Sequence, residues 1–149
     1  MTIFSRDEME RRWDAARVAM ATRNLGAVIA TSYAASYYLS GAPIHCFGRP
    51  MATVIPLDGD PFMVTSIIEQ GHVAAQSWMS DVLHYWDYNT TPEFSRAQPP
   101  LASMTELLGD ALRERGLATA ALGFEDAKLP ASHLQAMQHH LPDAMFVGV

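Results

Sequence analysis

This 149-residue chain has a single cysteine, Cys46. No disulfide can therefore form within it, a usage that fits a reducing compartment. Positive charge is scarce as well: Lys and Arg together number 10 against 16 Asp and Glu, for a formal charge of -6. That balance argues against a nucleic-acid binder or an anionic-membrane binder, both of which need a basic surface. No apolar run approaches the roughly 20 residues that cross a bilayer. The opening "MTIFSRDEMERRWDAARV" also puts charges where a signal peptide carries its apolar core. The expectation is a soluble, cytoplasmic protein with no nucleic-acid or membrane partner.

Catalytic signatures are missing too. Neither G-x-G-x-x-G nor G-x-x-x-x-G-K-[ST] occurs, and "TSYAAS", which follows the first expected strand, has no glycine with which to cradle a phosphate. There is no G-x-S-x-G nucleophile elbow. His45 and Cys46 are adjacent, and neighbours on an extended chain point to opposite sides, so they form no dyad by themselves. Cys46 reads as a small, semi-buried thiol. Among the six histidines, His139 and His140 lie about 100° apart on a helix and His133 sits further back, which describes a helix surface rather than a zinc-type pair one turn apart. His72 and His84 flank apolar runs and read as partly buried structural residues. Asp58, Asp60, Glu125 and Asp126 fit a turn and a strand end. On its own residues the chain offers no catalytic residue, no metal site and no cofactor site.

What is present is a globular pattern, 49% hydrophobic and 17% charged, that reads as one domain over residues 1–149. A chain of this size buries roughly 68–70% of its extended surface and needs no staple. Ser5 and Glu8 form a capping-box pattern before Met9, Trp13, Ala16 and Met20 at helical spacing, with Gly26 suited to the left-handed position after the helix. "AVIAT" reads as a strand covered on both faces, and "SYAASYYLSG" as a short helix or turn closed by Gly41. "MATVIPL" and "PFMVT" read as two strands joined at Asp58-Gly59. A helix at "IIEQGHVAAQSW", a strand at "DVLHYW" and a loop at "NTTPEFSRAQPP" follow. Then come a helix at "LASMTELLGDALRERG", with Leu101, Met104, Leu108 and Leu112 on one face, and a strand at "AALGFE". A helix at "PASHLQAMQHHL" and a strand at "AMFVGV" close the chain. Alternating strands and helices with one early hairpin predict an α/β domain, a mixed β-sheet flanked by helices.

The order of these phrases resembles the N-terminal domain of the creatinase/prolidase (aminopeptidase P, pita-bread metallohydrolase) family. "EMERRWDAARVAMATRNLGAVIATSYAASYYLSG" is similar to that family's opening. "LGFEDAKLPASHLQAMQHHLPDAMFV" is similar to its closing strand–helix–strand, with Gly123 and Glu125 in its G-x-E position. The resemblance implies a ribonuclease-H-like fold with no metal site of its own. It also implies a larger C-terminal catalytic domain, absent from this chain, that would hold a divalent metal pair, and a homodimer in which this domain reaches over the neighbouring active site. "CFGRP" resembles most closely the stretch by which creatinase sends a phenylalanine and an arginine into the adjacent protomer's pocket. Carried over, Phe47 and Arg49 become substrate-binding residues in trans for a small-molecule or dipeptide substrate. A guanidinium fork suits a carboxylate, and an aromatic face suits a guanidino group.

The expected function is thus a non-catalytic N-terminal domain of a metal-dependent C–N bond hydrolase, of the creatinase or Xaa-Pro peptidase type. The end on "FVGV", directly after an apolar strand, fits a piece cut at a domain boundary. The alternative is a free-standing α/β module that binds a small ligand or a protein; a small independent enzyme is a third reading. On Arg49 the alternatives also stay open: it serves a substrate, or it pairs with a local carboxylate while Phe47 fills a core edge.

Overall fold

A computed structural model describes residues 3–45, 48–86 and 102–149. The chain opens with α1 (Arg6–Thr22), whose Ser5 hydroxyl accepts from the Glu8 amide. The expected capping box is only half made. Glu8 turns its carboxylate to Arg11 and Arg12, at 2.8 Å each, and those guanidinium hydrogen bonds hold its pKa down at about 2. The helix ends at Arg23, and Asn24, not Gly26, takes the left-handed conformation (φ 54°). Gly26 is small for another reason: a Cβ there would lie 2.8 Å from the Ala120 Cβ.

Next come β1 (Ala27–Ala30), α2 (Tyr33–Ser40), β2 (Ala52–Pro56) and β3 (Phe62–Ser66). A 3-10 turn (Ile67–Glu69) leads into α3 (Gln70–Gln76), so the single helix expected there is split. β4 (Asp81–Tyr85), α4 (Met104–Glu114), β5 (Ala121–Phe124), α5 (Ala131–His140) and β6 (Met145–Gly148) complete the described elements. α4 starts later than the apolar pattern suggests. Ser103 accepts from the Glu106 amide, and the Glu106 carboxylate accepts from the Ser103 amide, a full capping box. Leu101 and the expected loop at 89–100 lie outside the described residues.

The six strands form one sheet in the order β4-β3-β2-β1-β5-β6. β1 pairs antiparallel with β2 and parallel with β5, which makes the sheet mixed. The hairpin β2–β3 sets Ala52 opposite Val64 and Val54 opposite Phe62, with Gly59 at φ 107° in its turn. Alternation along the strands sends side chains to opposite faces. Ala27, Ile29, Val54 and Phe62 pack with Met104, Leu108 and Leu112 of α4 and Met137 of α5. Ala30, Ile55 and Met63 pack on the other face with Trp13 of α1, Leu39 of α2 and Val73 of α3. The architecture is the expected mixed α/β sheet, flanked among the described residues by five α-helices.

Candidate binding crevice at the ends of the central strands

β1 and β5 are parallel neighbours, and their chains leave the sheet in opposite directions. β1 passes into α2, which packs on the face shared with α1, whereas β5 passes into α5, which packs on the face shared with α4. In open α/β sheets, ligands settle in the crevice that such a divergence leaves beyond the carboxyl ends of the strands. The antiparallel register sets Ala30 opposite Thr53. The residues leading into β2 therefore reach the same end of the sheet.

A groove of about 470 Å³ lies there, lined by Thr31, Tyr33, Ile44, His45 and the run Gly48–Met51. A second, of about 290 Å³, shares Thr31 and that run and continues to Met104, Lys128, Pro130 and His133. Tyr33 and His45 stack with ring centroids 4.2 Å apart and planes 15° from parallel. Gly48 is left-handed (φ 86°) with open space around its α-carbon. The Tyr85 hydroxyl donates to the Pro50 carbonyl at 2.7 Å, anchoring the entry to β2. Arg49 is half-buried on the wall shared by both grooves. Pro50 lies just ahead of β2, outside the hydrogen-bonded ladder, where its missing N–H costs nothing.

Glu125, read from the sequence as a strand-end carboxylate, is a clamp. It accepts from the Thr31 and Ser32 amides at 2.7 and 2.8 Å and from the Ser32 hydroxyl at 2.6 Å, tying the end of β5 to the start of α2. A carboxylate at a helix N-terminus meets unsatisfied N–H groups and the positive end of the dipole.

The sequence-predicted site residues separate as follows. Arg49 lines the crevice, while Phe47 and Cys46 lie outside the described residues. His45 also lines it, and His133 joins from the opposite wall. Composition gave no hint of that meeting; the one available signal was that Lys128 lies in the turn after a buried strand and His133 in the first turn of the helix that follows. His139 is exposed on its helix, and His140 packs beside Gly109. His72 corrects the expectation of partial burial: it is exposed, because the 3-10 turn tips it outward to meet the buried Glu69 at 2.8 Å. His84 is half-buried, and burial lowers its pKa below the usual histidine range, with the Ser66 and Thr65 carbonyls opposing. Among the described residues, no group of three His, Cys, Asp or Glu side chains is placed to hold a metal ion. No described helix is long and apolar enough to cross a membrane.

The fold is an α/β domain with a crevice at the ends of its central strands, and comparison identifies its family. The chain belongs to the creatinase/prolidase N-terminal domain family, whose model matches residues 12–149. Among curated proteins, no sequence matches. A structure described as an Xaa-Pro aminopeptidase from Streptococcus pyogenes superposes with a TM-score of 0.70 at 21% identity, over 97% of this chain and 94% of that one. The creatinase/prolidase N-terminal domain of an X-Pro dipeptidase from the same organism gives 0.72 at 15% identity, covering 93% of each chain. Dipeptidase PepE from Mycobacterium ulcerans gives 0.70 at 25% identity, and there the alignment covers 97% of this chain but 35% of the dipeptidase. This chain thus corresponds to about a third of that larger protein.

Proposed function

We propose that this chain is the non-catalytic N-terminal domain of a dimeric, metal-dependent C–N bond hydrolase of the creatinase or Xaa-Pro peptidase type. The observation that carries this reading is the family match over residues 12–149, taken with a larger dipeptidase chain of which the alignment covers 35%. In this reading a divalent metal pair would sit in the parent's C-terminal domain; among the described residues no group of three His, Cys, Asp or Glu side chains is placed to hold a metal ion. The domain supports a homodimer and lends Phe47 and Arg49 to the pocket of the neighbouring subunit. There the planar guanidinium grips the carboxylate of a small-molecule or dipeptide substrate, and the phenylalanine packs against its body. The left-handed Gly48 lets the backbone bend between these two side chains.

Kinetics of the full-length parent test this. Arg49→Lys keeps the charge but loses the bidentate fork. The expected loss in kcat/KM is about 10–100-fold, the size of a hydrogen bond to a charged group. Metal content and folding should stay unchanged. Mixed dimers extend the test: pairing an Arg49→Lys subunit with one stripped of its metal ligands should leave the intact pocket fully active if the arginine acts in trans, and impair it if the arginine acts in cis. Unchanged kinetics with lowered stability would make Arg49 a structural residue.

A further inference from the structure

We infer that the crevice beyond β1 and β5 is itself a binding site for a small carboxylate with a compact apolar body, held by Lys128 and His133. The inference goes beyond the role of Arg49 in a neighbouring subunit and needs no second domain. Three observations carry it. The first is topological: the two joined grooves open where the connections of parallel β1 and β5 diverge to opposite faces, the place where such sheets take ligands.

The second is charge. In a chain of net charge -6 with one lysine, that lysine lines the crevice together with Arg49 and His133, and the described lining includes no carboxylate. Elsewhere, Arg6, Arg11, Arg12, Arg17, Arg113 and Arg115 each sit beside an Asp or Glu, and Arg23 donates to the Gly148 carbonyl. No described residue forms an ion pair with Lys128. The acids nearest to it in sequence are engaged elsewhere. Glu125 is spent on the Thr31 and Ser32 amides, and Asp126 packs against Gly148, its carboxylate 3.0 Å from where a Cβ there would stand.

The third is the character of the remaining wall. Besides the nearly buried Ile44, Met51 and Met104, the lining includes the half-buried Pro50 and the exposed Pro130, and Tyr33, 38% exposed, stacks on His45. An inorganic anion would leave that surface wet, whereas a carboxylate on an apolar frame covers it.

The test uses the 149-residue chain, since isolated domains of this family have been solved as such, the X-Pro dipeptidase domain among them. N-acetyl-L-proline is titrated while backbone resonances are followed by NMR, with N-acetyl-L-prolinamide as the uncharged twin. Saturable shifts at Thr31, Lys128 and His133 with the acid, and none with the amide, are expected. Lys128→Ala and His133→Gln should each weaken binding about threefold to tenfold, the range for a partly exposed charge contact. Arg6→Ala, which removes the same charge at a remote exposed site, should leave binding unchanged. Equal binding of acid and amide, equal weakening by Arg6→Ala, or shifts centred elsewhere would each overturn the assignment.

Discussion

At the scale of single residues, the buried and half-buried polar groups divide by whether something nearby compensates for the water they lose. Arg12 is 8% exposed, yet it is stable there: Glu8 neutralises it, the Tyr38 carbonyl accepts from it at 2.9 Å, and Phe4 and Tyr38 face its guanidinium at 4.0 and 4.5 Å. Such a group is held in place by both charge and packing. His84 has weaker compensation. Burial lowers its pKa from the ordinary value of 6.5 more than the carbonyls of Ser66 and Thr65 raise it. A histidine with a depressed folded-state pKa binds fewer protons when folded. Its stabilising contribution is therefore complete above its unfolded pKa and is lost as pH falls through that value toward the folded one. We expect His84→Gln to flatten the decline in stability as pH falls through the ordinary histidine value of 6.5, relative to wild type. Urea midpoints at several pH values check this, and identical slopes in the two proteins would show that His84 does not contribute.

At the scale of elements, periodicity and caps told most of the story in advance. The helix at Ser5, the hairpin at Asp58-Gly59, the doubly covered β1 and the closing strand–helix–strand follow from local patterns that tertiary packing reinforces. What sequence could not supply was the distinction between kinds of glycine. Gly26 and Gly41 both follow helices in sequence, but Gly26 is required by the approach of Ala120 and only Gly41 is left-handed (φ 75°). Nor could it show that Glu125 reaches across to the start of α2, because that contact joins residues more than 90 positions apart. The crevice was equally hidden: its motif drew attention to Arg49, but that Lys128 and His133 line the same groove depends on β1 and β5 being parallel. The glycine distinction has a measurable consequence. Gly116 is also left-handed (φ 72°) but has open space around it, so Gly116→Ala meets only backbone strain. We expect a cost of about 1 kcal/mol. A Cβ at Gly41 would lie 3.0 Å from the Trp78 ring and 3.5 Å from the Met9 sulfur. Trp78 has little freedom to yield, because its indole N–H is bonded to the Phe4 carbonyl at 3.0 Å and Met9 is fully buried. Gly41→Ala should then cost about 2–4 kcal/mol, strain plus overpacking. Chemical denaturation of the two variants side by side decides it, and equal losses would mean that the α2 end repacks freely.

At the scale of the whole molecule, the arrangement separates structure-bearing charge from chemistry. Many described carboxylates are committed: Glu8, Glu10, Asp14, Asp81 and Asp110 to arginines, Glu69 to His72, Glu106 to the Ser103 amide, Glu125 to backbone amides. Hydrolytic metal sites need the opposite, several carboxylates and imidazoles converging on one point with lone pairs to spare. The described histidines are dispersed instead. His139 and His140 have ring centroids 6.0 Å apart at an edge-on 66°, and His133, His72 and His84 belong to different surroundings. A metal held by one such side chain gains too little to displace its own water. We therefore expect the 149-residue chain, loaded with excess Mn²⁺ or Zn²⁺ and then dialysed, to retain well under one equivalent and to hydrolyse neither creatine nor Xaa-Pro peptides. Elemental analysis and a peptide-release assay give the answer together. Stoichiometric retained metal accompanied by turnover would locate a catalytic centre in this domain and overturn its assignment as the non-catalytic part of a larger hydrolase. Metal retained without turnover, and abolished by His139→Gln with His140→Gln, would instead identify an adventitious histidine site and leave the assignment standing.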